Sequence, residues 1–136
     1  MPPEQMHDLS SEYPITKDHS EAYQRGGHIL LRGIASAEEV RAYRPLVTSI
    51  VDEVARARDT QRRISDYGAM FTQVTNVWRM NAQVRRFVFA KRFAKIAADL
   101  MGVKGVRLYH DQALIERAGG QANAVAPGLL LLASRY

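Results

Sequence analysis

The spacing of apolar and polar positions divides the first part of the chain into two predicted helices with a short strand between them. Thr16 is suited to cap a helix over Lys17–Arg25, which Gly26 and Gly27 would end. The run His28–Leu31 is then mostly apolar. A short apolar run between turn-forming residues is typical of a buried strand.

The second helix is predicted from a capping box and the apolar pattern behind it. Ser36 is the N-cap and Glu39 the third helical residue, so each side chain can bind the other's backbone N–H. Apolar residues follow at helical spacing, at Val40, Tyr43, Val47, Ile50, Val51 and Val54. Pro45 lies inside this pattern and predicts a kink or a late helix start. The polar residues 57–69 predict a loop.

The next region reads as an extended segment followed by a helix. Phe71–Trp78 is rich in β-branched and aromatic residues, which favours an extended conformation. Asn81 is suited to cap a helix that ends at Gly102. Its apolar face would hold Val84, Phe87, Val88, Phe93, Ile96, Ala97 and Leu100.

Gly105–Glu116 reads as a strand because its residues alternate in polarity. One face would hold Val106, Leu108 and His110, and the other Arg107, Tyr109 and Asp111. The predicted elements alternate between helix and strand, which is typical of a mixed α/β domain. The residues after Ala118 show neither strand alternation nor a helical apolar stripe, so they predict no regular element.

Composition narrows the class of protein. The chain has 136 residues, of which 46% are hydrophobic, and this suits one globular domain. The absence of cysteine excludes disulfides, thiolate zinc sites and cysteine nucleophiles. Residues 1–16 are polar and contain three prolines, and we interpret them as a flexible leader rather than a signal peptide. Pro127–Ala133, the longest apolar run, is too short to span a bilayer, so we expect a cytoplasmic protein without a membrane partner.

The positive charge of the chain is concentrated in the third helical region. The net charge is +5, and basic residues cluster at Arg85, Arg86, Lys91, Arg92 and Lys95. One interpretation is a helix with a core-facing side and a solvated basic side. The alternative is a small binding module for nucleic acid or protein that uses the Arg85–Lys95 face. The nearby aromatic residues fit the apolar side, which makes a nucleic-acid-binding role less favoured than a solvated basic side.

The four histidines form no recognisable metal or catalytic arrangement. His7, His19 and His28 have no partner at the spacing of metal ligands. His110 and Asp111 are adjacent, but neighbouring strand residues point to opposite faces and cannot bind one ion. No serine–histidine–aspartate set or phosphate-binding loop can be assembled. The residues themselves therefore predict no catalytic residue and no metal ligand.

Five segments, in their order and spacing, resemble the N-terminal half of the phytanoyl-CoA dioxygenase family. They are Tyr23–Gly33 (YQRGGHILLRG), Ser36–Tyr43 (SAEEVRAY), Phe71–Trp78 (FTQVTNVW), Val84–Gly102 and, above all, Val106–Gly120 (VRLYHDQALIERAGG). The family consists of iron(II)- and 2-oxoglutarate-dependent oxygenases that hydroxylate small or acyl-type substrates. The resemblance implies the N-terminal helices and first strands of a double-stranded β-helix (a jelly-roll, cupin-like fold), with the barrel incomplete.

The resemblance also suggests which residues would lie near the cosubstrate. Gln73 and Ala113 match positions on the 2-oxoglutarate side of the family's pocket, and Gln112 and Tyr109 would lie close to it. Glu116 departs from the pattern, because many relatives have lysine there. For Asn76 and Trp78 we predict turn formation and core packing.

The family's iron ligands are missing from the stretch that should carry them. Relatives continue with a sequence like T-P-W-H-Q-D, whose His-x-Asp pair and a later histidine hold the iron in a facial triad. This chain has no histidine after His110. We therefore expect no catalytic residue, no metal ligand, and neither iron nor 2-oxoglutarate bound by this chain, so that its status as an enzyme is uncertain.

A shifted reading frame would explain the residues that stand in place of that motif. Codons for Asn123–Tyr136 can be chosen so that reading one base later encodes T-P-W-H-Q-D-Y-Y-Y-W-P-A-D. The amino acids nearly fix the first and third base of each shifted codon, and only the middle base is free. Our hypothesis is a one-base frameshift after Ala122. It divides the chain into the leader 1–16, a family-like region 17–122, and an aberrant, truncated tail 123–136.

Overall fold

The structure, a computed structural model, describes residue 7 and residues 9–59, 71–116 and 128–134. These residues form a mixed arrangement of helices and one antiparallel sheet. In chain order the elements are α1 (Lys17–Gly26), α2 (Ala37–Asp59), β1 (Phe71–Thr75), a short 3-10 helix (Val77–Arg79), α3 (Ala82–Val88), α4 (Lys91–Met101), β2 (Arg107–Glu116) and β3 (Gly128–Ser134).

The first helix begins and ends where the sequence predicts. The Thr16 hydroxyl accepts from the backbone N–H of His19, and the His19 ring accepts from the N–H of Thr16. Gly27 adopts a left-handed conformation with φ of 73° and ends the helix. Both predicted boundaries are therefore confirmed.

Helix α2 begins at the predicted capping box and is longer than predicted. The Ser36 hydroxyl accepts from the N–H of Glu39 at 3.1 Å, and the Glu39 carboxylate accepts from the N–H of Ser36 at 2.7 Å. Because these bonds set the start, Pro45 causes no late start, and the helix continues through it. The predicted loop is wrong for residues 57–59, which are helical, and the remainder of it lies outside the described residues.

One sequence prediction near the N-terminus is wrong. His28–Leu31 is not a strand, and Leu30 is 75% exposed, because no strand of the described sheet lies beside this run. Residues 9–16 belong to the predicted flexible leader, and we call them the N-terminal strap. Leu9 is 1% exposed and forms a small core with Tyr43 and Ala90. Burial of apolar surface holds this strap against the helices.

The predicted third helix is divided in two. The Asn81 side chain caps α3 as expected, accepting from the N–H groups of Gln83 at 2.8 Å and Val84 at 3.0 Å. The helix ends at Phe89, and α4 starts after Ala90. Gly102, with φ of 65°, ends α4 as predicted. The apolar pattern is therefore continuous in sequence but is carried by two helices.

The sheet has the order β1-β2-β3, and both pairs are antiparallel. Gln73 lies opposite Leu114 and Val74 opposite Ala113. The extended segment predicted over Phe71–Trp78 ends at Thr75, and the 3-10 helix follows. The strand predicted over Gly105–Glu116 is confirmed from Arg107 onward.

A β-bulge changes which residues of β2 face the core. The register with β3 shifts between Leu108 and His110, which leaves Tyr109 as an extra residue. Leu108 packs against the core, and after the bulge the buried positions are Asp111, Ala113 and Ile115. The prediction that Asp111 lies on the face opposite to Leu108 is therefore wrong, because one inserted residue reverses the alternation.

The main core lies between the sheet and helices α2 and α3. Its buried members are Val47, Ile50, Val51, Val74, Val77, Val84, Val88, Ala113 and Ile115. Strand β3 falls in the tail for which no regular element was predicted, and it pairs along β2 from Leu114 to Arg107. The boundary expected after Ala122 lies outside the described residues. Within the part of the chain that is described, no helix combines the length and apolar character needed to cross a membrane.

Candidate functional site

The face of the sheet that points away from the main core brings two predicted cosubstrate residues together. Gln73 and Thr75 alternate along β1, and Gln112 and Leu114 alternate along β2. Gln112 lies opposite Thr75 and Gln73 opposite Leu114, so the two glutamines are diagonal neighbours. Gln73 is exposed and Gln112 half-buried. We call Gln73, Thr75, Gln112 and Leu114 the open face.

The other two predicted cosubstrate residues do not join the open face as a group. Ala113 lies on the packed side opposite Val74 and is fully buried. Tyr109 is the extra residue of the bulge and is 76% exposed, with its ring centroid 5.0 Å from that of His110. The four residues are therefore divided between two faces and an irregular strand segment.

Asp111 is a buried carboxylate whose position the alternation pattern did not reveal. It is fully buried, and its Oδ2 atom accepts from the backbone N–H of Trp78 at 3.3 Å. Its carbonyl oxygen accepts from the N–H of Asn76 at 2.9 Å. Its Oδ1 atom has no hydrogen-bond partner among the described residues. Burial raises the pKa of Asp111, and the Trp78 N–H opposes this rise only in part.

Asp111 holds the turn that follows β1. Asn76 has φ of 59°, a left-handed conformation that asparagine tolerates better than most residues, and begins the 3-10 helix. Trp78 packs against the main core, and its ring meets that of Phe89 edge to face with centroids 5.3 Å apart. The predicted roles of Asn76 and Trp78 in turn formation and packing are confirmed.

The residues that the structure describes do not fit an iron centre of the facial-triad type. No group of three or more His, Cys, Asp or Glu side chains among them is placed to hold a metal ion. Asp111 is buried beside Trp78, whereas His110, its neighbour along β2, falls on the opposite side of the strand. The amides of Gln73 and Gln112 can donate hydrogen bonds to a carboxylate but carry no charge.

A second candidate site lies in a segment without acidic residues. Residues 67–98 contain six basic side chains (Arg79, Arg85, Arg86, Lys91, Arg92 and Lys95) and no aspartate or glutamate. The segment therefore carries +6, which exceeds the net charge of +5 of the whole chain. The clustering was visible in the sequence, but whether each basic side chain is paired or exposed depends on contacts with distant residues.

The basic face predicted over Arg85–Lys95 is not one surface. Arg92 is buried, and its guanidinium donates to both Glu39 oxygens at 2.8 and 2.9 Å and to the Ile34 carbonyl at 2.9 Å. These hydrogen bonds hold the pKa of Glu39 below its usual value. Lys95 pairs with Asp99 at 2.9 Å on the same helix. Part of the predicted face is thus occupied by structural contacts.

The other three basic residues of the predicted face, Arg85, Arg86 and Lys91, line a groove between the N-terminal strap and the junction of α3 and α4. Its volume is about 760 Å³. Its walls are formed by Ser10, Ala82, Arg85, Arg86, Phe89, Ala90 and Lys91. The Arg85 guanidinium carbon lies 4.8 Å from the centroid of the Trp78 ring and 5.1 Å from that of Phe89. We call this feature the basic groove.

Comparison with known proteins adds no relative. No family model, no curated protein and no solved structure matches the chain.

Proposed function

We propose that this chain is the N-terminal part of an oxygenase domain of the phytanoyl-CoA dioxygenase type. Five segments resemble that family in the family's order. The supporting observation is the register of β1 with β2, which sets Gln73 and Gln112 on one open face. These glutamines come from two different resembling segments and are 39 positions apart (112 minus 73).

In a complete domain of this type, the described residues would contribute to cosubstrate binding rather than to turnover. In a protein read in the shifted frame, the Gln73 and Gln112 amides would donate hydrogen bonds to a carboxylate of 2-oxoglutarate, and Thr75 and Leu114 would complete that wall of the pocket. Strand β2 and its packing on α2 keep this wall in place. No step is assigned to iron, because the described residues do not fit it.

We further propose that residues 123–136 are a shifted reading of the family's metal-binding stretch. The His codon would straddle Ala126 and Pro127, and the Asp codon Gly128 and Leu129. A protein made in the shifted frame would carry the His-x-Asp pair directly after the family-like region. Its substrate would be a small or acyl-type molecule, as in the family.

Succinate release tests this proposal. The 136-residue chain, given iron(II), 2-oxoglutarate and oxygen, should release no more succinate than a reaction without protein. The product of the same gene read in the shifted frame should release succinate with iron and stop when the metal is chelated. Succinate release by the 136-residue chain would contradict the loss of the metal site.

Two matched variants in the shifted-frame protein test the open face. Gln73→Ala and Gln112→Ala should each raise the KM for 2-oxoglutarate by roughly tenfold, the effect of one lost hydrogen bond to a charged group. Gln83→Ala removes an exposed glutamine of α3 and should leave that KM unchanged. Equal effects of all three variants would remove the open face from the cosubstrate site.

A further inference from the structure

We propose that the basic groove binds a small anion that carries two or more phosphate groups. Phosphate oxygens would accept hydrogen bonds from Arg85 and Arg86 and would form an ion pair with Lys91. This site is separate from the open face, and none of its three cations belongs to the proposed cosubstrate wall.

The charges of the groove are available to a ligand. The described ion pairs join Lys17 to Glu21, Arg92 to Glu39 and Lys95 to Asp99. Among the described residues, none of the three groove cations (Arg85, Arg86 and Lys91) takes part in an ion pair. No acidic residue is among the described residues that line the groove. A concave surface lined by one sign of charge attracts counter-charged ligands.

Arg85 is held in place before any ligand arrives. Its guanidinium lies over the rings of both Trp78 and Phe89, and cation–π contacts of this kind are favourable. A side chain already restrained loses less entropy when it binds. Its planar set of N–H donors matches the oxygens of a phosphate group.

The size of the groove favours a small molecule over a nucleic acid strand. About 760 Å³ lies within the range of small-molecule sites, which is about 300–1,000 Å³. A strand would require a longer track of available cations. The next basic residues along α4 are Arg92 and Lys95, and both are paired with acids.

Helix stability accounts for only part of this arrangement. Arg85 and Arg86 lie in the last turn of α3, where positive charge is favourable. Lys91 is the first residue of α4, where a positive charge is unfavourable. An anion in the groove would offset that unfavourable charge.

Calorimetric titration with sodium pyrophosphate at low ionic strength tests the site in the full 136-residue chain. We expect saturable binding of one pyrophosphate per chain, weakened by added salt. The double variant Arg86→Gln/Lys91→Gln should reduce the affinity by at least about tenfold, since each removes a charged hydrogen-bond donor. Arg41→Gln/Arg44→Gln, two exposed cations of α2, should change it by less than about twofold.

Four results would overturn the proposal. The first is no binding of pyrophosphate by a chain whose circular dichroism shows the expected helices. The second is an equal loss of affinity in both double variants, which would indicate net charge rather than the groove. The third is orthophosphate binding as tightly as pyrophosphate. The fourth is tighter binding of a single-stranded oligonucleotide with a steep salt dependence, which would identify a nucleic-acid surface instead.

Discussion

The two faces of the β1–β2 pair are built from alternate residues of the same strands, yet they differ in burial and polarity. On the packed face Val74, Ala113 and Ile115 are 1%, 0% and 4% exposed and contact helices α2 and α3 through the main core. On the open face Gln73 is exposed and Leu114 is 36% exposed. Burial of apolar side chains accounts for the residue types of the packed face, but it does not account for those of the open face.

From this difference we propose that the packed face serves folding and the open face serves binding. A polar, open sheet face next to a well-packed one is common in antiparallel sheets. Its glutamines come from the segments that resemble the oxygenase family, which is why we assign the binding role to them. The assignment depends on the two faces being energetically distinct, and this can be measured.

The largest expected effect comes from placing a charge on each face in turn. Ala113→Glu buries an unpaired carboxylate and should lower the free energy of unfolding by about 3–5 kcal/mol. Gln112→Glu, at the adjacent position on the open face, should change it by less than about 0.5 kcal/mol. Urea unfolding of both variants measures the contrast. Equal losses would show that the open face is also buried in the folded protein.

A middle-sized effect is expected at Asp111, the buried carboxylate of the packed face. Asp111→Ala leaves the Trp78 N–H without its acceptor and should cost about 1–3 kcal/mol of unfolding free energy. Asp111→Asn keeps an acceptor and removes the charge, so it should be at least as stable as the wild type at pH 7. If Asn were as harmful as Ala, the carboxylate charge itself would be needed.

The stability difference between the wild type and Asp111→Asn should depend on pH. Burial raises the pKa of Asp111 above its ordinary value of 3.8, so the folded state binds this proton more tightly than the unfolded state. This group's contribution is therefore most favourable below its unfolded pKa and declines as the pH rises through the folded pKa. The advantage of Asn over Asp should shrink as the pH is lowered from 7 towards 4. A pH-independent difference would contradict the raised pKa.

The smallest expected effect is at Leu114. Leu114→Thr removes apolar surface from the open face and should change the free energy of unfolding by less than about 0.5 kcal/mol. Thermal melts of the variant and the wild type are sufficient to check it. A loss above about 2 kcal/mol, the size of a core truncation, would mean that another part of the chain covers this face.

Local signals in the sequence predicted the starts of α1, α2 and α3 and the ends of α1 and α4. Thr16 and Asn81 cap helices because a side-chain oxygen needs only the next three residues to find its partners. The same holds for the reciprocal bonds of Ser36 and Glu39. Strand β2 was also predictable, since alternation is a property of adjacent residues.

Features that depend on distant residues were not predictable. The ion pair of Arg92 with Glu39 joins residues 53 positions apart, so the basic cluster gave no sign that it would be divided. The bulge at Tyr109 appears only when β2 is aligned with a partner strand, and it places Asp111 on the same buried side as Leu108, not on the opposite face as predicted. The run His28–Leu31 had the composition of a strand but finds no strand beside it in the described sheet.

The nucleotide sequence that encodes Gln121–Tyr136 and the bases after it test the central proposal most directly. We predict that reading one base later gives T-P-W-H-Q-D and an open frame that continues to a further histidine and an arginine. Middle bases that encode other residues in the shifted frame would contradict it. A stop codon soon after the motif would equally contradict descent from a complete oxygenase domain.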